Sequence, residues 1–205
     1  DLGVTELTAL TWLPALVDAL RQAYPKVQIE PSVELSSELF RKLESDQLDL
    51  VIVPDVYSDP RFHSTALQCV ENAWICAPGL IPQPDPVSLE VLADYTVLTQ
   101  GSQSGTGLIY ERWLAAHNVQ MPRTLTSHNL LVQVGLALSG IGVSYLPKAC
   151  LSHLIEHGAL RALVTQPELP SIQYVALHRV DRQFGLNQDV ARMAQRCCDF
   201  SRLLF

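Results

Sequence analysis

The sequence predicts an α/β fold built as two small lobes, and three observations carry the prediction. Strand-like and helix-like segments alternate from end to end, the pattern of mainly parallel strands joined by helices. Residues 48–53 are almost wholly apolar, as expected of a parallel strand covered on both faces. A length of 205 residues exceeds the commonest single-domain size yet falls short of two large domains. Apolar residues make up 48% and charged residues 17%, with a mean hydropathy of +0.15. That supplies a sizeable core and lacks the signature of disorder.

Residues 11–24 carry Trp12, Leu13, Leu16, Val17, Leu20 and Tyr24 at helical spacing, with Asp18, Arg21 and Gln22 off the stripe, and Pro25 stops the helix. Val27, Ile29, Val33 and Leu35 then alternate with polar residues as a half-buried strand does. Ser36, Ser37 and Glu38 supply a cap and a first-turn acid to a short helix through Leu39, Phe40 and Leu43. The apolar strand at 48–53 ends at Pro54, and residues 66–77 read as one further strand. Pro78, Gly79, Pro82, Pro84 and Pro86 form the most proline-dense stretch, where the chain is expected to cross between lobes. Residues 96–99 are a strand, 101–107 a glycine-rich loop, and 108–117 a helix with Ile109, Trp113 and Leu114 inward. A helix at 130–138 ends at Gly140-Ile141-Gly142, followed by a strand at 143–146 and a helix from about Lys148 to His157, closed by Gly158. A strand at 172–179 runs through Tyr174, Val175, Ala176 and Leu177, and residues 186–203 form a last amphipathic helix.

The formal charge of −7, with 14 scattered basic residues, argues against this chain alone gripping a phosphate backbone, because duplex binding rests on clustered Lys and Arg. No apolar run reaches the roughly 20 residues of a membrane helix, and no targeting sequence opens the chain. It begins at Asp1 rather than Met, as expected of a piece of a longer protein or of a chain after leader removal. Cys69, Cys76, Cys150, Cys197 and Cys198 form no CxxC pair and are odd in number, which suits a reducing cytoplasm and core packing.

Several short patterns suggest catalysis and fail on spacing. His153-Leu154-Ile155-Glu156-His157 has the spacing of an inverted zinc-protease motif, but no clear third ligand follows on a helix. Gly101 to Gly105 is no nucleophile elbow, since Gln103 stands where the serine must be. The 101–107 loop lacks a phosphate-loop Lys, and Tyr145 occupies the place of the third dinucleotide-binding glycine after Gly140 and Gly142. Cys197-Cys198 lacks nearby histidines. The expectation is a protein with no catalytic residue, metal or cofactor.

Four stretches in order resemble the effector-binding region of LysR-type transcription regulators. They are Gly3-Val4-Thr5 with Leu13-Pro14 and Tyr24-Pro25; Leu48-Asp49-Leu50-Val51-Ile52; Cys76-Ala77-Pro78-Gly79; and Leu131-Val132 with Ala137, Gly140-Ile141-Gly142-Val143 and Leu146-Pro147. The resemblance spans nearly the whole chain. It implies a two-lobed, periplasmic-binding-protein-like (type 2) fold with two crossover strands and a small ligand between the lobes. Lobe I would hold residues 1–77 and 176–205, and lobe II residues 78–175. The winged helix-turn-helix and linker helix that precede this region in the family are expected to lie outside these 205 residues.

Ligands of open parallel sheets sit beyond the carboxyl ends of strands, near helix N-termini and small hydroxyl side chains. Thr5, Thr8, Ser36 and Ser37 in the first lobe, and Thr99, Ser127, His128 and Asn129 in the second, meet that description. The resemblance places Thr5 and Ser36 at the ligand, with Leu7 where many relatives carry a polar residue. Ser36, Ser127 and Asn129 are equally readable as helix caps. His128 suits an anion or a neutral polar ligand, and no Arg or Lys falls in the set, although Arg123 and Lys148 stand near in sequence.

The expected function is therefore a small-molecule switch of a homodimeric or tetrameric regulator, touching DNA only through the missing domain, with no membrane partner. The resemblance also implies side-by-side dimer packing, for which the helix at 12–24 is a candidate surface. A transporter's solute-binding protein is the alternative, and a metallohydrolase on His153, Glu156 and His157 a third.

Overall fold

The computed structural model describes residues 1–181 and 185–204 and divides into two compact units, Asp1–Val70 with Gln173–Phe205, and Glu71–Ile172. Against the expected division, residues 71–77 belong to the second unit and residues 173–175 to the first. Residues 182–184 and 205 of the expected lobe I fall outside the described residues.

The first unit begins with β1 (Leu2–Val4), α1 (Glu6–Thr11), α2 (Leu13–Ala23), β2 (Pro31–Val33), α3 (Ser36–Glu44), β3 (Leu50–Pro54) and β4 (Phe62–Val70). The second contains β5 (Asn72–Cys76), β6 (Val87–Ser88), α4 (Leu89–Ala93), β7 (Val97–Thr99), α5 (Gly105–Ala116), β8 (Thr124–Thr126), α6 (Leu130–Leu138), β9 (Val143–Pro147), a 3-10 turn (Ala149–Leu151), α7 (Ser152–Glu156), β10 (Arg161–Leu163) and β11 (Thr165–Gln166). The chain then forms β12 (Ile172–Arg179) and returns to the first unit with α8 (Leu186–Cys197).

The first sheet has the order β2-β1-β3-β12-β4, with β1 parallel to β2 and β3, and β12 antiparallel to β3. All five residues of β3 are buried, as its apolar run predicts. Leu39, Leu43, Leu48, Val51, Val53, Phe62, Val175 and Leu177 form the core beside it. Each such side chain contributes about 1.5–3 kcal/mol by leaving water. The second sheet has the order β10-β5-β9-β7-β8, parallel among β7, β8 and β9 and antiparallel where β5 meets β9 and β10. Its core is aromatic: Trp74 meets Tyr145 edge-on at 5.7 Å between centroids, and Tyr110 lies 4.7 Å from Tyr145.

Several elements differ from expectation. The helix expected at 11–24 is α2 preceded by a separate α1, with the break at Trp12, whose N–H donates to the Thr8 carbonyl while its ring turns into the core against Phe200. Pro14 sits in the first turn of α2, where a missing N–H costs nothing. The single strand expected at 66–77 is two strands of different sheets, separated by Glu71. Val27 and Val33 are exposed: Val27 lies in a bend before β2, and Val33 on β2 at the sheet edge. The 148–157 helix is a 3-10 turn followed by α7, and the last helix ends at Cys197 rather than 203.

His178 in β12 is buried, with Nδ1 3.1 Å from the Arg179 carbonyl and Nε2 without a partner among the described residues. Burial pushes its pKa below the ordinary 6.5; the carbonyl bond opposes this, and His63, 5.2 Å away between centroids, adds to it. The folded state thus prefers the neutral ring, whereas the unfolded chain takes up a proton near pH 6.5. Stability from this residue is complete above that pH and lost below it, as the pH falls towards the depressed folded value. The melting temperature is expected to fall between about pH 7.5 and pH 5.5, with a shallower fall in His178→Leu. Parallel melting curves showing equal slopes would clear His178 of the effect.

Candidate functional site

In the first unit the parallel pairing of β1, β2 and β3 brings their carboxyl ends to one edge. Thr5 follows β1 there as the N-cap residue of α1, its N–H donating to the Ile52 carbonyl at 3.3 Å. Its side chain makes no cap bond, and among the described residues its buried Oγ1 has no partner; the same is true of Thr8 Oγ1 one turn on. Ser36 and Ser37 do not cap α3. Leu35 is the cap residue, so Ser36 is buried in the first turn and Ser37 is exposed beside it.

A buried hydroxyl left unpaired costs about 1–3 kcal/mol. Thr8→Val, which keeps the shape and deletes the hydroxyl, is therefore expected to raise the stability of ligand-free protein by about 1 kcal/mol in a denaturant titration. A loss of similar size would mean that Thr8 Oγ1 has a partner in solution.

In the second unit, β7, β8 and β9 are parallel and share a carboxyl edge. Thr99 and Thr126 are register partners with their Oγ1 atoms 3.0 Å apart, and Ser127 N–H donates to the Thr99 carbonyl at 2.9 Å. His128 Nδ1 lies 2.7 Å from the Gln100 carbonyl. Asn129 caps α6, its side-chain oxygen accepting from Val132 N–H at 2.8 Å, so its capping reading holds. Ser127 Oγ instead accepts from Asn129 N–H in a tight turn.

Four residues that sequence reasoning passed over hold this corner together. Gln100 N–H donates to Tyr145 Oη at 2.9 Å, and Ser104 donates its hydroxyl proton to Gln100 Oε1 at 2.7 Å. Gln133, fully buried in α6, donates to the Ser127 carbonyl at 3.2 Å. Burial pushes the Tyr145 phenol up to about 12, so it stays protonated. A polar residue at the inward position of the Leu130, Gln133, Val134, Ala137 stripe was the available signal.

Arg123 and Lys148 do not serve the corner: Arg123 donates to the Asp94 carbonyl, and Lys148 pairs with Glu71 at 3.1 Å. The His153–His157 pair has ring centroids 4.1 Å apart, with His157 Nδ1 bonded to the His153 carbonyl. Among the described residues no group of three or more His, Cys, Asp or Glu is placed to hold a metal, and no helix is long and apolar enough to cross a membrane. A separate cavity of about 330 Å³ in the first unit lies at the amino ends of β1 and β3, among Leu2, Leu20, Tyr24, Leu50, Leu186 and Val190. None of the expected site residues lines it.

A family model described as the LysR substrate binding domain matches residues 1–196. The chain belongs to that family. As a LysR substrate-binding domain it has the two-lobed, type 2 periplasmic-binding-protein-like fold of the family's regulatory domains. Structures similar to it include the Synechocystis CcmR regulatory domain in complex with 2-PG (TM-score 0.79, 15% identity, 97% of this chain and 96% of that one). The regulatory domain of MetR, a LysR family regulator from N. meningitidis, gives 0.78 at 18% identity over 99% and 94%, and the effector binding domain of QuiR in complex with shikimate gives 0.77 at 19% over 96% and 94%. Among curated proteins, the HTH-type transcriptional regulator CzcR of Bacillus cereus is 21% identical over 182 residues, covering 88% of this domain and 60% of that protein. The phosphonates import ATP-binding protein PhnC of Anaeromyxobacter dehalogenans is 25% identical over 171 residues, covering 82% of this domain and 34% of that protein. The LysR domain thus spans between a third and three fifths of the length of these curated relatives.

Proposed function

We propose that this LysR substrate-binding domain senses a small-molecule effector for a DNA-binding transcription regulator, and that its output is a conformational change rather than a reaction. The observation that carries the reading is the pair of buried, unpartnered hydroxyls at Thr5 and Thr8, at a parallel strand edge of a domain from this family. Thr5, Thr8, Ser36 and Ser37 in one unit and Thr99, Ser127, His128 and Asn129 in the other are the effector contacts. The effector acts only through its preference for one conformation over another. DNA contact belongs to the remainder of the regulator, which works as a homodimer or tetramer. Five cysteines that form no disulfide among the described residues fit a reducing cytoplasm.

A thermal-shift screen of small metabolites tests this, since a ligand at 100 times its Kd stabilises by about 2.7 kcal/mol. The expected hit gives a smaller shift in Thr99→Ala and His128→Ala, while the ligand-free melting temperatures stay near wild type. A hit whose shift survives both changes in full, or variants that unfold, would remove these residues from the site.

A further inference from the structure

We propose that the strand-end corner of the second unit reads a hydrogen-bond donor on its ligand, a hydroxyl, amide or amine N–H, with His128 as the specificity-determining acceptor. The proposal rests on the effector-site reading above and adds the chemical class.

A backbone contact sets the tautomer of His128. A backbone carbonyl can only accept, so the 2.7 Å contact from His128 Nδ1 to the Gln100 carbonyl places a proton on Nδ1. A neutral imidazole with its proton there carries a lone pair on Nε2. Gly101 leaves room for the ring in that orientation. At φ +72° Gly101 sits in the left-handed region, and the ring's Cε1 lies 3.2 Å from where a side chain on Gly101 would begin. His128 is exposed, and Nε2 has no partner among the described residues. The corner therefore offers a fixed, outward acceptor.

The cationic side chains of the second unit are engaged elsewhere or stand apart from the corner. The second unit has four cationic side chains, Arg112, Arg123, Lys148 and Arg161. Arg123 and Lys148 are engaged as described, and Arg161 donates to the Ile81 and Gln83 carbonyls and pairs with Asp85 at 3.0 Å. Arg112 is exposed on α5, seven residues past the first of that helix and so roughly 10 Å along its axis. Several backbone donors of the corner are engaged as well. Gly107 N–H goes to Ser104 Oγ, Val132 N–H to Asn129 Oδ1, Gln100 N–H to Tyr145 Oη and Ser127 N–H to the Thr99 carbonyl. The caps of α5 and α6 thus consume one first-turn N–H group each. Nε2 of His128 and the oxygen lone pairs of Thr99 and Thr126 remain to accept from a ligand.

The test uses the protein labelled with 15N at histidine and matched probes that differ in one group: benzoate, benzamide and benzyl alcohol, then gluconate, gluconamide and sorbitol. Without any probe, the His128 imidazole spectrum is expected to show the proton on Nδ1; a proton on Nε2 overturns the proposal outright. With probes, the amides and alcohols are expected to move the Nε2 resonance at lower concentration than the carboxylates do. Their affinity is expected to fall about three- to tenfold in His128→Phe, the size of one hydrogen bond. Carboxylates binding more tightly than their matched amides would overturn the donor assignment and leave the effector site standing. Silence at His128 with every probe would count against the effector site itself, and the proposal would fall with it.

Discussion

Gly107→Ala is expected to destabilise the second unit by about 3 kcal/mol or more. A methyl group at residue 107 would stand 2.0 Å from the Gly101 carbonyl oxygen. The obstructing atom is backbone, so no rotamer change relieves it. The first turn of α5 packs directly on the loop after β7, where Ser104 N–H donates to that same Gly101 carbonyl at 3.2 Å and Leu108 N–H to the Ser104 carbonyl at 2.9 Å. Moving α5 outward sacrifices these bonds and the Ser104 cap together. Chemical denaturation followed by circular dichroism reads the result. A change within about 0.5 kcal/mol would mean that the close approach of helix and loop does not exist in solution.

Trp74→Ala should cost about 3–5 kcal/mol, the range for deleting a large aromatic from a packed interior. Trp74 is fully buried in β5 and packs edge-on against Tyr145, which in turn lies against Tyr110. Tyr145 also holds the Gln100 N–H, so loosening the cluster also loosens the loop that presents His128. Hydrogen exchange is the discriminating measurement. Faster exchange should concentrate in residues 71–172, with the Leu39, Leu43 and Val51 core of the first unit keeping its protection. Uniform loss across both units would contradict two separate cores.

The apolar run ending at Pro54, the alternation of strands and helices and the 130–138 helix were legible because each is a local pattern strong enough to survive tertiary context. The exchange of sheets at Glu71 was not: strand propensity continues through residues 66–77, and nothing in the chain records that its hydrogen-bonding partners change. Gly105 and Gly107 misled in another way. They read as loop, yet they open α5, because a glycine required for close approach looks the same in sequence as one required for a turn. At the candidate site, the place of Thr99, Ser127 and His128 at or after strand ends could be read from the sequence. Gln100, Ser104 and Tyr145 could not, since their bonds join β7, α5 and β9, and only folding sets those distances.

The segment after α8 has a practical consequence for anyone shortening this domain. Phe200 fits between Trp12 and Tyr174, at 5.8 and 4.7 Å between ring centroids, and Leu204 N–H donates to the Leu10 carbonyl. A stop codon placed at the visible end of the last helix would strip the lid from an indole buried near the amino end of the chain. The truncated product should turn sticky and protease-sensitive at α1, nearly two hundred residues from the cut.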